Sequence, residues 1–244
     1  MISRLFHMLF SLVVIIFSGP IIIFALLCVF FYDFKNPLYF AKRVGQNGKQ
    51  FIMIKIRTMS VAKSSNKFVS TSADDTRITP IGILIRKYKL DELVQFLNVI
   101  FGSMSIVGPR PLPKADYDKL NDFEKSAYDL LPGITDFSSI IFSDEGEILR
   151  GYDDADYAYN QIIRPWKSCL VHLYKENKSL RTDMYLIFLT ALTLFDKNKA
   201  ITYIYRFALR AKASNQLLDL IPRQGQVPQI KPPTHITNIM KEKK

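Results

Sequence analysis

Between Asp75 and Pro111 the sequence reads DTRITPIGILIRKYKLDELVQFLNVIFGSMSIVGPRP, placing Arg77, Arg86, Lys87 and Lys89 just ahead of adjacent carboxylates at Asp91 and Glu92. Guanidinium groups grip phosphate oxygens in a planar fork. A carboxylate can attack phosphorus and hold it covalently. The pattern therefore fits phosphoryl-transfer chemistry. On a helix, neighbouring side chains diverge by about 100°, so Asp91 and Glu92 can divide roles or share a divalent cation. Mg²⁺ suits such a pair, because one or two carboxylates plus substrate phosphates complete its shell. The competing reading is a solvated set of salt bridges with Arg86, Lys87 or Lys89. Arg110, between Pro109 and Pro111, sits on a stiffened backbone suited to a fixed anion contact or to bridging loop carbonyls. Lys55 and Arg57 alternate along IKIRTM and would share a strand face, for phosphate or for lipid headgroups.

The elements that must position these groups begin with an apolar run. Leu5 to Phe31 is 27 residues without Asp, Glu, Lys or Arg, long enough for a membrane helix. Ser18-Gly19-Pro20 lies near its middle, and proline removes a donor and clashes with the preceding turn. Arms of 13 and 11 residues would each be roughly 16 to 20 Å long, short of a hydrocarbon core of about 30 Å. Two topologies stay open: a re-entrant helical hairpin and a kinked single-pass anchor. Eight basic residues follow between Lys35 and Lys67 with no acid between Asp33 and Asp74, which predicts a cytoplasmic catalytic portion.

The formal charge of +11 and pI near 9.5 imply an anionic partner: lipid headgroups, nucleotide diphosphates or nucleic acid. Basic residues beside an apolar anchor favour the first two, each gaining about 1 kcal/mol near an anionic leaflet. No nucleic-acid signature is present, so nucleic acid is not expected. Cys28 and Cys169 lack a disulfide or metal partner in the pattern. His7, His172 and His235 match no metal-binding spacing.

Further along, Tyr39 to Arg57 predicts a hairpin turning at Gly45, Asn47 and Gly48. A polar loop follows from Ser60 to Thr79. Ile81 to Phe101 reads as one helix, Ser103 to Pro113 as an ordered loop and Asp116 to Leu131 as an amphipathic helix. Residues 136–157 read as an acidic loop, Tyr159 to Tyr174 and Asp183 to Phe195 as helices, and the chain from Pro222 as a flexible tail.

With these motifs in view, the chain resembles the bacterial sugar transferases, the monotopic phosphoglycosyl transferases of glycan assembly. The resemblance runs from the apolar segment through RVGQNGKQFIMIKIRTM, the DTRITP to GPRPL signature, PGIT at Pro132 to Thr135, and KENKSLRTDMYLIFLTAL, about residues 5 to 195. It implies that Asp91 attacks the β-phosphate of a UDP-sugar, releases UMP and passes the phosphosugar to undecaprenyl phosphate. Glu92 would serve Mg²⁺ and the proton, Arg86 the phosphate and Arg110 the nucleotide. It also implies a helix broken at Pro20. Where the family often has GWAQ after PGIT, this chain has Asp136-Phe137-Ser138-Ser139, so donor identity is open. So is oligomeric state. Val94 and Ala41 also depart from common family residues without changing a charge.

The expected architecture is mainly α with a small β element: a re-entrant membrane hairpin (residues 1–34), a catalytic domain with amphipathic surface helices (35–200) and a basic, partly flexible extension (201–244). The functional alternative is a catalytically silent, membrane-anchored scaffold of glycan assembly. Intact Asp91, Glu92, Arg86 and Arg110 count against it.

Overall fold

The computed structural model describes residues 2–60, 76–149 and 155–222. The expected loop around residues 61–75 and the tail from 223 lie outside them. Among the described residues the chain is mostly helical, with two small two-stranded sheets.

Helix α1 (Ile2–Asp33) is one element of 32 residues with Pro20 inside it. The break expected at Ser18-Gly19-Pro20 does not occur, and the two arms are a single helix about 48 Å long at 1.5 Å per residue. Packing outweighs the hydrogen bond that proline removes. Ile22, Ala25 and Val29 are buried beside Ile56, Ile85 and Val94, while His7 and Ser11 are buried near the other end. The outward face stays apolar and exposed, including Leu5, Leu9, Ile16, Phe17 and Phe24.

Strands β1 (Leu38–Val44) and β2 (Gln50–Ile56) form the expected antiparallel hairpin, in register from Leu38↔Ile56 to Val44↔Gln50. Its turn uses Asn47 and Gly48 with φ of 54° and 74°, the left-handed region that these residue types tolerate. Asn98 ties the hairpin to the helical segment after it. Its amide donates to the Ile52 carbonyl (2.7 Å) and its Oδ1 accepts from the Ile54 N–H (3.0 Å), as a neighbouring strand would.

The single helix expected over Ile81 to Phe101 is instead α2 (Pro80–Lys87), α3 (Leu90–Leu93) and α4 (Phe96–Ile100). The break is at Lys89, which adopts φ 53°, ψ 27°. The physical reason is periodicity. Nine residues of straight helix turn Ile85 and Val94 to opposite faces, about 180° apart, yet both are buried in the cluster around Ile56.

Strand β3 (Ser105–Val107) pairs in parallel with β4 (Gly133–Thr135). Between them the helix expected from Asp116 to Leu131 is split into α5 (Lys114–Tyr117) and α6 (Asp122–Ser126), because Asn121 starts a new helix through a capping box with Glu124. The acidic segment read as a loop holds α7 (Phe137–Ile141), capped by Asp136, then α8 (Glu145–Leu149) and α9 (Ala155–Ala158). A π-helical turn at Tyr159–Ile163 leads into α10 (Arg164–Glu176).

Helix α11 (Leu180–Thr193) is followed by α12 (Lys197–Arg210) and α13 (Asn215–Leu220). The main core gathers Phe137, Trp166, Leu170, Tyr174, Leu186 and Leu189, and α12 and α13 add Ile201, Ile204, Ala208, Leu217 and Leu220. The boundary placed at residue 200 therefore cuts through α12, and residues 201–221 belong to the folded domain. Their basic side chains masked an apolar face repeating at helical spacing.

Candidate active site

The site forms where α2, α3, the end of β2 and the GPRP segment converge. Thr79 caps α2 by accepting from the Gly82 N–H at 2.9 Å, and its own N–H donates to the Thr58 carbonyl at 3.0 Å. Gly82 is required here, since a Cβ would lie 2.1 Å from the Thr58 carbonyl oxygen. One turn later Arg86 Nε donates to Thr58 Oγ1 at 2.9 Å. Thr58 thus orients the arginine assigned to phosphate.

Lys89 turns the chain so that α3 presents Asp91 and Glu92 in its first turn. Asp91 is buried, and its carboxylate accepts no hydrogen bond among the described residues. Burial pushes its pKa above the ordinary 3.8, the Lys55 charge working in the opposite direction. Glu92 Oε1 lies 3.2 Å from Arg110 Nη2 and 3.5 Å from Lys55 Nζ. Burial alone would raise the Glu92 pKa, but Arg110 and Lys55 outweigh it and hold it at about 2. Burial lowers Lys55, opposed by Glu92, and the Glu92 carboxylate raises Arg110. The two carboxylates therefore differ: Glu92 is held ionised by two cations, and Asp91 is the more basic.

Arg110 is fixed through its backbone. Gly108 N–H donates to the Thr135 carbonyl (3.0 Å), Gly133 N–H donates to the Pro109 carbonyl (2.9 Å), and the Tyr128 hydroxyl donates to the Arg110 carbonyl (2.9 Å). GPRP and PGIT, remote in sequence, are one structural unit.

Of the residues expected at the site, Asp91, Glu92, Lys55 and Arg110 come together, with Arg86 close enough to act on the Asp91 charge. Arg57 is placed differently. It lies just beyond β2 and gives Nη1 and Nη2 to Asp33 (2.7 and 2.6 Å) and Nε to the Asn36 carbonyl (2.7 Å). Its position ties the end of α1 to the hairpin. Arg77 is set by its carbonyl, which accepts from the Ser60 N–H at 2.8 Å. Sequence reasoning missed Thr58, Asn98 and the pair Asp33–Arg57. Only Asn98 carried a signal, as a polar residue among the apolar positions of a helix.

Among the described residues no three His, Cys, Asp or Glu side chains converge as a metal site. Asp91 and Glu92 are hard oxygen donors at adjacent positions, so a divalent ion here would draw the rest of its shell from substrate phosphate and water. That donor set fits Mg²⁺.

Comparison with known proteins gives the family. The profile of the family described as "Bacterial sugar transferase" matches residues 1–197. The chain belongs to the bacterial sugar transferase family. It is 31% identical over 206 residues to the exopolysaccharide production protein ExoY of Sinorhizobium fredii, covering 77% of this chain and 83% of that protein. It is 32% identical over 208 residues to an uncharacterized sugar transferase of Haemophilus influenzae, covering 78% of this chain and 40% of that one. It is 34% identical over 142 residues to a UDP-glucose:undecaprenyl-phosphate glucose-1-phosphate transferase of Klebsiella pneumoniae, covering 57% of this chain but 30% of that enzyme. The chain thus spans well under half of the latter two relatives. Membership places this chain in a membrane-associated bacterial family, and among the described residues one helix, α1, is long and apolar enough to cross a membrane.

Proposed function

We propose that this protein transfers a sugar phosphate from a UDP-sugar to undecaprenyl phosphate in two displacements at Asp91. The observation that carries the reading is the unequal pair: an unbonded, more basic Asp91 beside a Glu92 held ionised by Lys55 and Arg110. In the first step an Asp91 carboxylate oxygen bonds to the β-phosphorus, the bridging P–O bond breaks, and UMP leaves with the electron pair. In the second, a phosphate oxygen of the polyprenol attacks that phosphorus. The aspartyl P–O bond breaks, the carboxylate is restored and polyprenyl diphosphosugar forms. Arg86 and Arg110 orient the donor phosphates, and Lys55 lends charge to them. Mg²⁺ bound through Asp91 or Glu92 would neutralise phosphate charge.

A covalent relay lets a water-soluble donor and a lipid acceptor use one site in turn. The lipid step requires that site to lie at the bilayer. Both ends of α1 are held on the same domain: Ser3 and His7 reach Asp183 at 2.9 and 3.2 Å, and Asp33 binds Arg57. A helix spanning a core of about 30 Å would carry one end away from such a domain. We therefore favour a monotopic enzyme facing the cytoplasm at the inner membrane, its continuous α1 staying on one side with exposed apolar residues in lipid and basic residues near anionic headgroups. This fits an early membrane step of polysaccharide assembly.

The test is turnover of full-length, membrane-embedded enzyme with UDP-sugars and undecaprenyl phosphate. Release of UMP that disappears in Asp91→Asn, together with an Asp91 phosphosugar adduct in the wild type by mass spectrometry, is the expected result. UMP release at the wild-type rate from Asp91→Asn would remove the nucleophile from this reading.

A further inference from the structure

Behind Arg110 lies a small cavity between Pro109-Arg110, Asp136, Ser138 and the start of α10. One wall is apolar, made by Leu112, Leu120, Ala127 and Val171. The other is polar. There Arg164, almost fully buried, gives Nη1 to Asn160 Oδ1 at 2.7 Å and places Nε 3.2 Å from Glu124 Oε1. Its Nη2 is buried without a hydrogen-bond partner among the described residues. A buried donor left unbonded costs about 1–3 kcal/mol, so an acceptor supplied by a ligand would be stabilising at this point. Tyr159, on the π-helical turn, presents its phenol to the same cavity.

The charges around the cavity are already matched. Arg164 faces Glu124, Lys167 pairs with Glu145, and Arg110 pairs with Glu92. Asp136 accepts from Ser138 Oγ, Ser139 N–H and Ser139 Oγ at 2.7 to 2.9 Å. Arg110 is turned to Glu92 and the donor phosphates, and Asp136 adds a carboxylate with no ion pair among the described residues, so a further anionic group inside the cavity would meet no spare cation and the occupant is neutral. The volume of about 50 Å³ holds a few water-sized groups, too few for a hexose ring or a uracil with its ribose. It suits a small substituent with a carbonyl oxygen for the donor wall and a methyl group for the apolar wall.

We infer that this cavity takes the N-acyl group of the donor sugar, so that the enzyme prefers a UDP-N-acetylamino sugar to the unsubstituted UDP-hexose. The acyl carbonyl accepts from the Tyr159 hydroxyl and from Arg164 Nη2, the methyl packs on Ala127 and Val171, and the phosphates reach Arg110 and Asp91. This rests on the transferase reading above and extends it to the class of sugar. Asp136 and Ser138 shape the rim, where this chain departs from the common family sequence.

The experiment measures UMP release by membrane-embedded full-length enzyme with undecaprenyl phosphate and four donors: UDP-glucose, UDP-galactose and their N-acetylamino counterparts. An N-acetylamino donor should exceed its parent hexose in kcat/KM by about tenfold or more. Tyr159→Phe, which removes one hydroxyl, and Val171→Phe, which fills the apolar wall, should each bring that ratio toward unity. Equal use of both classes, or preference for the hexoses, overturns the inference and leaves the transferase reading standing. A ratio unchanged in both variants, or UMP inhibition weakened by Tyr159→Phe as much as donor turnover, also overturns it. No UMP release from any donor removes the transferase reading and this inference together.

Discussion

Gly108 and Gly133 approach so closely that a Cβ on Gly133 would lie 2.1 Å from the Gly108 nitrogen. Their contact joins GPRP to PGIT, and Arg110 inherits its position from it. Gly133→Ala must push the two backbones apart, at a cost of about 1–3 kcal/mol or more. The expected outcome is a lower melting temperature with donor turnover falling further than stability alone explains. Circular dichroism melts and UMP release on the same preparation check it.

Thr58 positions Arg86, the arginine proposed to hold the donor phosphate. Thr58→Val keeps the shape but removes the oxygen that accepts from Arg86 Nε, a charge-assisted bond worth about 1.5–3 kcal/mol. We expect the KM for the UDP-sugar to rise by about tenfold, since each 1.4 kcal/mol is one decade, and the thermal midpoint to fall by several degrees with the lost bond. Thr58→Ser should restore the KM, an outcome that a purely packing role for the methyl group would not give.

The two carboxylates predict a pH dependence with a definite sign. Burial raises Asp91 above 3.8, and attack requires its ionised form, so the acid limb of kcat/KM should lie above the ordinary aspartate value. The Lys55 charge opposes that rise. Lys55→Met should therefore move the limb to higher pH. Glu92 has the opposite sign: its depressed pKa gives stability that is present above the usual 4.5 and lost as pH falls toward about 2. Arg110→Ala removes the larger opposing charge, so acid unfolding should begin at higher pH.

The clamp at the start of α1 is buried and polar. Asp183 is inaccessible to solvent and accepts from Tyr174 Oη at 2.5 Å and Ser3 Oγ at 2.9 Å, with His7 Nε2 at 3.2 Å. Asp183→Ala leaves these groups without their acceptor and should destabilise the protein by about 3–5 kcal/mol. In a background lacking Cys28 and Cys169, Ile2→Cys and Lys35→Cys should both react with an impermeant thiol reagent from the cytoplasmic side. Labelling from opposite sides would establish a spanning helix.

What could be read from the sequence was chemistry and local pattern. Asp91, Glu92 and Arg110, singled out by residue type, lie together in the structure, and the hairpin was marked by Gly45, Asn47 and Gly48. The misread features depend on contacts between distant segments. Nothing local marks Lys89 as left-handed; the need to bury Ile85 and Val94 in one cluster imposes it. Pro20 reads as a helix break until the flanking turns are seen packed on the domain. Arg57 carries the residue type expected of a phosphate ligand, and only its nearness to Asp33 shows it tying α1 to the hairpin.

The last two helices carry a practical consequence. The family match stops at residue 197, yet Ile204, Ala208 and Leu220 are fully enclosed by the same core as Trp166. A truncated protein ending at that match would lay bare the apolar flank of α11 and α7. Expression of such a fragment should yield aggregates rather than a smaller enzyme, so the independently folding unit of this chain is larger than the part its relatives share.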